Sequence, residues 1–326
     1  MKQTRDAIGV ISLALLVSCF IPTPVVAQSY PHKPIRFIVA LAPGGAVDII
    51  TRIVVEKLTA TWHQSIVVDN RPGASGIVGT EMAAKAAPDG YTILMGTFSI
   101  LAANASLYSK LPYDTARDFA PITFVASSPN VLVVHPSIPA HDVKELITLA
   151  RFRLGQLSYA SPGSGTSPHL AGELFKGLAD VDLLHVPYKG AGQGLIDVLG
   201  GHVPVMFTAL PGALPHIRTG KLRALAVTTA KRFAAAPDVP ALAETFPGFE
   251  AESWQGVVAP ARTPVGIIAK LNAEIVRILQ LSDVHRRMLD YGFTPGGSTP
   301  QEFAAFIKSE TEKWGRVIRE AGITAK

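Results

Sequence analysis

Short apolar runs, small-residue loops and helical stripes repeat along the chain. Ile35-Arg36-Phe37-Ile38-Val39-Ala40 reads as a strand, and the loop Ala42-Pro43-Gly44-Gly45 follows it. Ile49, Ile50, Ile53, Val54 and Leu58 then recur at helical spacing, with Asp48 just ahead of them as a start signal. A second strand, Ser65 to Asp69, runs into Asn70-Arg71-Pro72-Gly73-Ala74-Ser75-Gly76, and a helix is predicted from Ile77 to Ala86. Pro88-Asp89-Gly90 marks a turn before a third strand, Tyr91 to Met95. Alternation of this kind predicts a mostly parallel sheet with helices on both faces.

The same grammar continues through the middle of the chain. Two short apolar strands are predicted between Pro121 and Val134, meeting at Pro129. Strands at 158–160, 183–186, 203–208 and 222–228 alternate with helices at 142–151, 169–178, 193–199 and 215–219. After Trp254 the pattern changes to one strand, 254–259, and consecutive helices at 264–280, at 283–291 and from Thr299-Pro300-Gln301-Glu302 onward. That last start carries a capping box with Pro at the first helical position. Consecutive helices cannot bury their apolar stripes alone, so they are expected to pack back on the first sheet. The predicted organisation is an export signal over 1–27, a first lobe over 28–126 and an inserted second lobe over 127–253. Residues 254–326 return to the first lobe, and the chain crosses near Val125–Ser128 and Glu252–Gln255.

Composition narrows the class. The chain has 326 residues, 48% of them hydrophobic and 17% charged, which suits a folded protein with a large core and more than one domain. A single Cys excludes an intramolecular disulfide framework and a cysteine-rich metal site. The net charge of +5 comes from scattered residues; the longest basic runs are pairs such as Lys231-Arg232 and Arg286-Arg287. No aromatic stripe accompanies them, so no nucleic-acid partner is expected. The histidines show no metal-ligand spacing, and no metal or cofactor is expected.

The N-terminus reads as an address. Lys2 and Arg5 precede an apolar stretch from Ile8 to Val17, then Pro22, Pro24 and Val25-Val26-Ala27. This is a secretory signal with cleavage expected after Ala27, which would deliver the chain to the periplasm. A buried N-terminal helix is the plainer alternative. Leu16-Val17-Ser18-Cys19 also resembles a lipobox, in which case Cys19 would anchor the protein to a membrane.

Three strand-to-helix loops carry the chemistry. They are Pro43 to Asp48, Ser161 to Ser167, and Lys189-Gly190-Ala191-Gly192. Ligands in parallel α/β sheets sit at the carboxyl ends of strands, where helix N-termini offer unpaired N–H groups to an anion. Glycine lets backbone approach a ligand closely, although glycine is also common in ordinary turns. No dinucleotide fingerprint or P-loop is present. Ser164 lacks the nucleophile-elbow spacing. His169 reads either as a donor at the pocket edge or as a helix-surface histidine. Asn70 to Gly76 reads as a fixed turn or as a ligand neighbour, and Trp254 as a cleft wall or a core residue.

Several ordered motifs resemble one family. They are Ala42-Pro43-Gly44-Gly45 with Asp48, Asn70-Arg71-Pro72-Gly73-Ala74, Pro88-Asp89-Gly90-Tyr91, and Leu111-Pro112-Tyr113-Asp114 with Asp118-Phe119. Tyr159-Ala160-Ser161 with Gly163, Gly165 and His169-Leu170 follow, then His185-Val186-Pro187-Tyr188-Lys189-Gly190 and Ala213-Leu214-Pro215-His216-Ile217. The set, from about Tyr30 to Lys326, is similar to the Bug (TctC-type) receptors of tripartite tricarboxylate transport systems. The resemblance implies a two-lobed α/β fold of the type II periplasmic-binding-protein kind, each lobe a mostly parallel sheet flanked by helices, with a cleft between them. It implies a monomeric receptor for a small organic acid, acting with a membrane permease and without chemistry of its own. By position, the ligand residues would be Gly44, Gly45, Ala46 and Asp48, with Ser161, Gly163, Ser164, Gly165, Thr166 and His169. Pro204 and Thr208 stand where the family commonly carries Asp, which suggests a less polar wall and an acid with an apolar body. A ligand sensor feeding a signalling partner is the alternative, and an exported hydrolase a remoter one.

Overall fold

The computed structural model describes residues 30–152, 155–320 and 322–324. The export signal over 1–27 and Cys19 lie outside the described residues. Lys33–Lys326 forms one compact unit. Its strands are β1 Ile35–Val39, β2 Ile66–Asn70, β3 Thr92–Thr97, β4 Phe119–Val134, β5 Ser158–Ser161, β6 Leu184–Pro187, β7 Val205–Ala209, β8 Arg223–Val227, β9 Glu252–Pro260 and β10 Thr294–Pro295. They follow the order β2-β1-β3-β9-β4-β7-β5-β6, and β8 and β10 also pair with β4.

Two parallel ladders are joined by antiparallel strands. β1 pairs with β2 and β3 in parallel, while β9 lies antiparallel between β3 and β4. On the other side β5 pairs with β6 and β7 in parallel, and β7 and β8 run antiparallel to β4. Each parallel strand is followed by a helix, as the alternation of short apolar runs and helical stripes requires.

The two short strands expected around Pro129 are one strand of 16 residues. Its register explains why a proline is accepted there. β9 pairs with β4 as far as Pro129, and β7 takes over from Asn130. The residue without an N–H thus falls where the strand changes partners. Bulges after Pro121 and Phe124 bend the strand near this exchange.

Other boundaries moved for local reasons. The first helix is Ala46–Trp62, so Asp48 lies inside its first turn rather than ahead of it. The helix expected at 215–219 is Leu210–Arg218, and Pro215 sits within it instead of opening it. The helix after β5 begins at Ser167, capped by Thr166. At Thr299 the capping box forms: the Glu302 N–H donates to Thr299 Oγ1 at 3.2 Å, and the Thr299 N–H donates to Glu302 Oε2 at 2.8 Å.

The C-terminal helices close over β4 and β9, beside the first ladder. Asn272, on the helix Val265–Leu279, donates from Nδ2 to the Ile122 carbonyl at 2.8 Å. The last helix, Pro300–Glu320, sets Phe303 so tightly against Gly256 that a Cβ there would lie 2.1 Å from the ring. Trp254 is buried among Phe98, Phe303 and Phe306 and donates from Nε1 to Glu310 at 3.0 Å. It is a core residue of this layer.

Candidate ligand-binding site

The first loop is held by a buried carboxylate. β1 ends, the chain turns through Gly44 at φ +79°, and the helix starts after Gly45 without a side-chain cap. Its first N–H groups therefore have no acceptor within the helix. Asp48 accepts the Gly44 N–H at 2.9 Å, Arg52 Nε at 2.9 Å and Asn70 Nδ2 at 3.1 Å. Burial alone would push this carboxyl up. The hydrogen bonds from Arg52, Gly44 and Asn70, with the Arg52 charge, outweigh it and hold the pKa below the ordinary value. Asn70 also donates to the Leu41 carbonyl, so the end of β2 braces the loop at the end of β1.

The second loop is held by imidazoles. Gly163 and Gly165 have φ of +143° and +75°. The Gly165 N–H donates to His169 Nδ1 at 3.0 Å, which leaves the proton of a neutral ring on Nε2. Thr166 Oγ1 donates to the Gly163 carbonyl at 2.7 Å and accepts the His169 N–H at 3.4 Å. The Gly163 N–H reaches Ser161 Oγ at 3.2 Å. His169 stacks on His185 with ring centroids 4.0 Å apart, and Tyr159 also stacks on His185 at 4.9 Å. The Tyr159 hydroxyl donates to Glu173 Oε1 at 2.5 Å, and Lys176 pairs with Glu173 at 2.9 Å. Burial first, and then the Lys176 charge, pushes His169 down to about 4. Burial, and then His169, pushes His185 down to about 3. Both rings are neutral at neutral pH.

Ser161 Oγ lies 2.7 Å from His185 Nε2, the spacing of a nucleophile and its base. The chemistry does not follow. An imidazole with a pKa near 3 is a poor proton acceptor at neutral pH, and Ser161 is fully buried within its own loop. The pair is scaffold.

The third loop braces the second. The Gly190 N–H donates to the Pro162 carbonyl at 2.9 Å and the Tyr188 N–H to the Ser161 carbonyl at 3.0 Å. Gly165 in turn meets the first ladder's side: a Cβ there would lie 2.4 Å from Leu107 Cδ1. Asn130, the first β4 residue past the exchange, donates to Ser167 Oγ at 2.7 Å and ties the crossover to the start of the second loop's helix.

The predicted residues thus fall into two clusters, one at each ladder, at the carboxyl ends of β1 and β5. Gly44 and Gly45 are exposed, Ala46, Gly163, Ser164 and Thr166 are half-buried, and Asp48, Ser161, Gly165 and His169 are buried. Sequence reasoning missed Asn70, Asn130 and His185 as supports. Their only signal was a polar residue at or near the end of an apolar run.

Comparison with known proteins settles the class. Residues 50–323 match the model of the tripartite tricarboxylate transporter family receptor. The chain belongs to this family. Protein BugT of Bordetella pertussis is 37% identical over 328 residues, covering all of both chains. A Rhodopseudomonas palustris protein solved with adipate is 36% identical with a TM-score of 0.87, over 90% of this chain and 99% of that one. MatC from the same organism, solved with malate, is 31% identical with a TM-score of 0.82, over 89% and 100%. The fold is the α/β periplasmic-binding-protein fold of these relatives, and the family is one of receptors rather than enzymes.

Proposed function

We propose that this protein captures a small organic carboxylate between two lobes and presents it to a tripartite tricarboxylate-type permease. One observation carries the reading. Each parallel ladder ends in a loop with a left-handed glycine just ahead of a helix start, an arrangement that suits an anion. Adipate and malate, held by two relatives, are both carboxylates of this size.

The lobes would be 28–126 with 254–326, and 127–253, joined at β4 and β9. The N–H groups of Gly44 and Gly165 are donated to Asp48 and His169. In this reading they shape the loops, with Asp48, Ser161, Gly163, Thr166 and His169 as supports. The donors offered to the ligand are the N–H groups of Gly45 and Ala46, and the amide and hydroxyl of Ser164. Closure of the lobes would bring the two sets onto one ligand and exclude water. The protein would work as a monomer in the periplasm after cleavage at Ala27, or tethered there through Cys19.

The test is a thermal-shift and calorimetric screen against mono-, di- and tricarboxylates, aromatic acids and amino acids. A ligand of the native state raises the midpoint according to its affinity. A shift confined to one acid class supports the reading. Folded, ligand-free protein that responds to no acid overturns it.

A further inference from the structure

Four buried side-chain atoms among the described residues have no hydrogen-bond partner: Asn104 Oδ1, Ser128 Oγ, Thr208 Oγ1 and Gln255 Oε1. Buried polar groups are normally satisfied, so each calls for a reason. Ser128 and Gln255 sit together. Ser128 is in register with Ser253, and Ala126 with Gln255, so these four side chains share one face of the β4–β9 ladder. Ser128 and Gln255 are diagonal neighbours, with Cα atoms about 7–8 Å apart, within reach of one small bridging group.

The surroundings place this pair at the crossover. Asn130 is next on the same face; it accepts from Ser253 Oγ at 2.8 Å and donates to Ser167, at the start of the second loop's helix. Gln255 is in register with Thr97, the last residue of β3, and β3 is the parallel neighbour of the strand that feeds the first loop. The pair therefore lies between the two loops. Thr208 pairs with Val131, so it points to the opposite face from Asn130, and Asn104 lies beside Gly165. Neither joins the pair.

The unmet needs are specific. Ser128 offers a hydroxyl that can donate, and Gln255 an amide oxygen that can only accept. A hydrocarbon chain satisfies neither. A carboxylate suits Ser128 but opposes the Gln255 oxygen. An alcohol hydroxyl satisfies both, accepting from one and donating to the other. We propose that Ser128 and Gln255 bind a hydroxyl on the ligand's carbon chain, so that the ligand is a hydroxylated carboxylic acid. This rests on the receptor reading above.

Isothermal titration of the full chain tests it, with succinate against malate and adipate against 2-hydroxyadipate. Wild type should bind the hydroxylated member of a pair at least about tenfold more tightly. Ser128→Ala and Gln255→Met should each cut that preference to below about threefold while leaving the plain acid's affinity nearly unchanged. Without ligand, both variants should unfold at the wild-type denaturant midpoint or above it, because a buried unpaired group has been removed. Equal binding of both members by wild type overturns the proposal. So does a lower ligand-free midpoint with equal losses for both acids, which would mark a structural water site. A preference for the plain acid that Gln255→Met abolishes also overturns it, since the amide would then be serving a carboxylate. Absence of binding to any acid overturns the receptor reading itself.

Discussion

The loops after β1 and after β5 solve one problem with opposite chemistry. In each, a left-handed glycine gives its N–H to a side chain four residues on, which locks the entry to the following helix. The first loop uses a carboxylate, the second a neutral imidazole. Their settings explain the choice. Asp48 is buried but has an arginine and an asparagine at hand, and a buried charge is tolerable only with such partners. His169 is buried and stacked on His185, with Gly165 pressed on Leu107, and its bond from the Gly165 N–H needs no charge. The same turn geometry thus takes a charged lock at the accessible loop and an uncharged one at the enclosed loop.

The largest expected effect separates the glycines. Gly165→Ala meets both a left-handed φ and Leu107 at 2.4 Å, and should cost about 2–4 kcal/mol and abolish ligand binding. Gly44→Ala has the same kind of φ but no neighbour within 4 Å, and should cost only about 1–2 kcal/mol. Urea unfolding of both variants decides; equal losses would break the contrast between an open and a packed loop.

The next effect is one of pH. His169 and His185 have pKa values depressed to about 4 and about 3 from an ordinary 6.5. The unfolded chain therefore binds protons that the folded protein refuses. Stability is full above about pH 6.5 and falls as pH drops toward 4, with a slope of at most about 1.4 kcal/mol per pH unit for each ring. Asp48 is also depressed, from 3.8, so its contribution is present above pH 3.8 and is lost only below it. The second loop should loosen first on acidification. His169→Asn, which keeps an acceptor for Gly165 without a titrating ring, should cut the slope between pH 6.5 and 4 by about half, since His185 still titrates. An unchanged profile would remove the imidazoles from the account.

The smallest effect sharpens the support of the first loop. Asn70→Ala removes a partner from Asp48 and from the Leu41 carbonyl, both at 3.1 Å, and should cost about 1 kcal/mol. Ligand affinity should fall several-fold as the loop loses its brace. Retained affinity would mean that Arg52 and the Gly44 N–H hold Asp48 without it.

The strand–helix alternation, the glycine loops, the capping box at Thr299 and the return of the C-terminal helices were legible in the sequence. Each is a local preference written in adjacent residues: turn chemistry, helical spacing, caps. Pro129 misled because a proline normally ends a strand; only the exchange of partners between β9 and β7 makes its missing N–H harmless. Asp48 was legible as a helix-start residue, but its bond back to Gly44 depends on the loop's three-dimensional path.

What the sequence determined by itself is the set of elements and the residues that open each helix, because propensity and periodicity act over a few neighbours. What only the tertiary structure decided is which side chains occupy which N–H groups. His169 meets His185 because β5 and β6 set His185 beside Tyr159 at the end of the strand that leads into the second loop. Ser128 and Gln255 share one face because β4 and β9 pair across more than a hundred intervening residues. Such partnerships depend on strand register, and register is set by the packing of the whole fold rather than by any local run of residues.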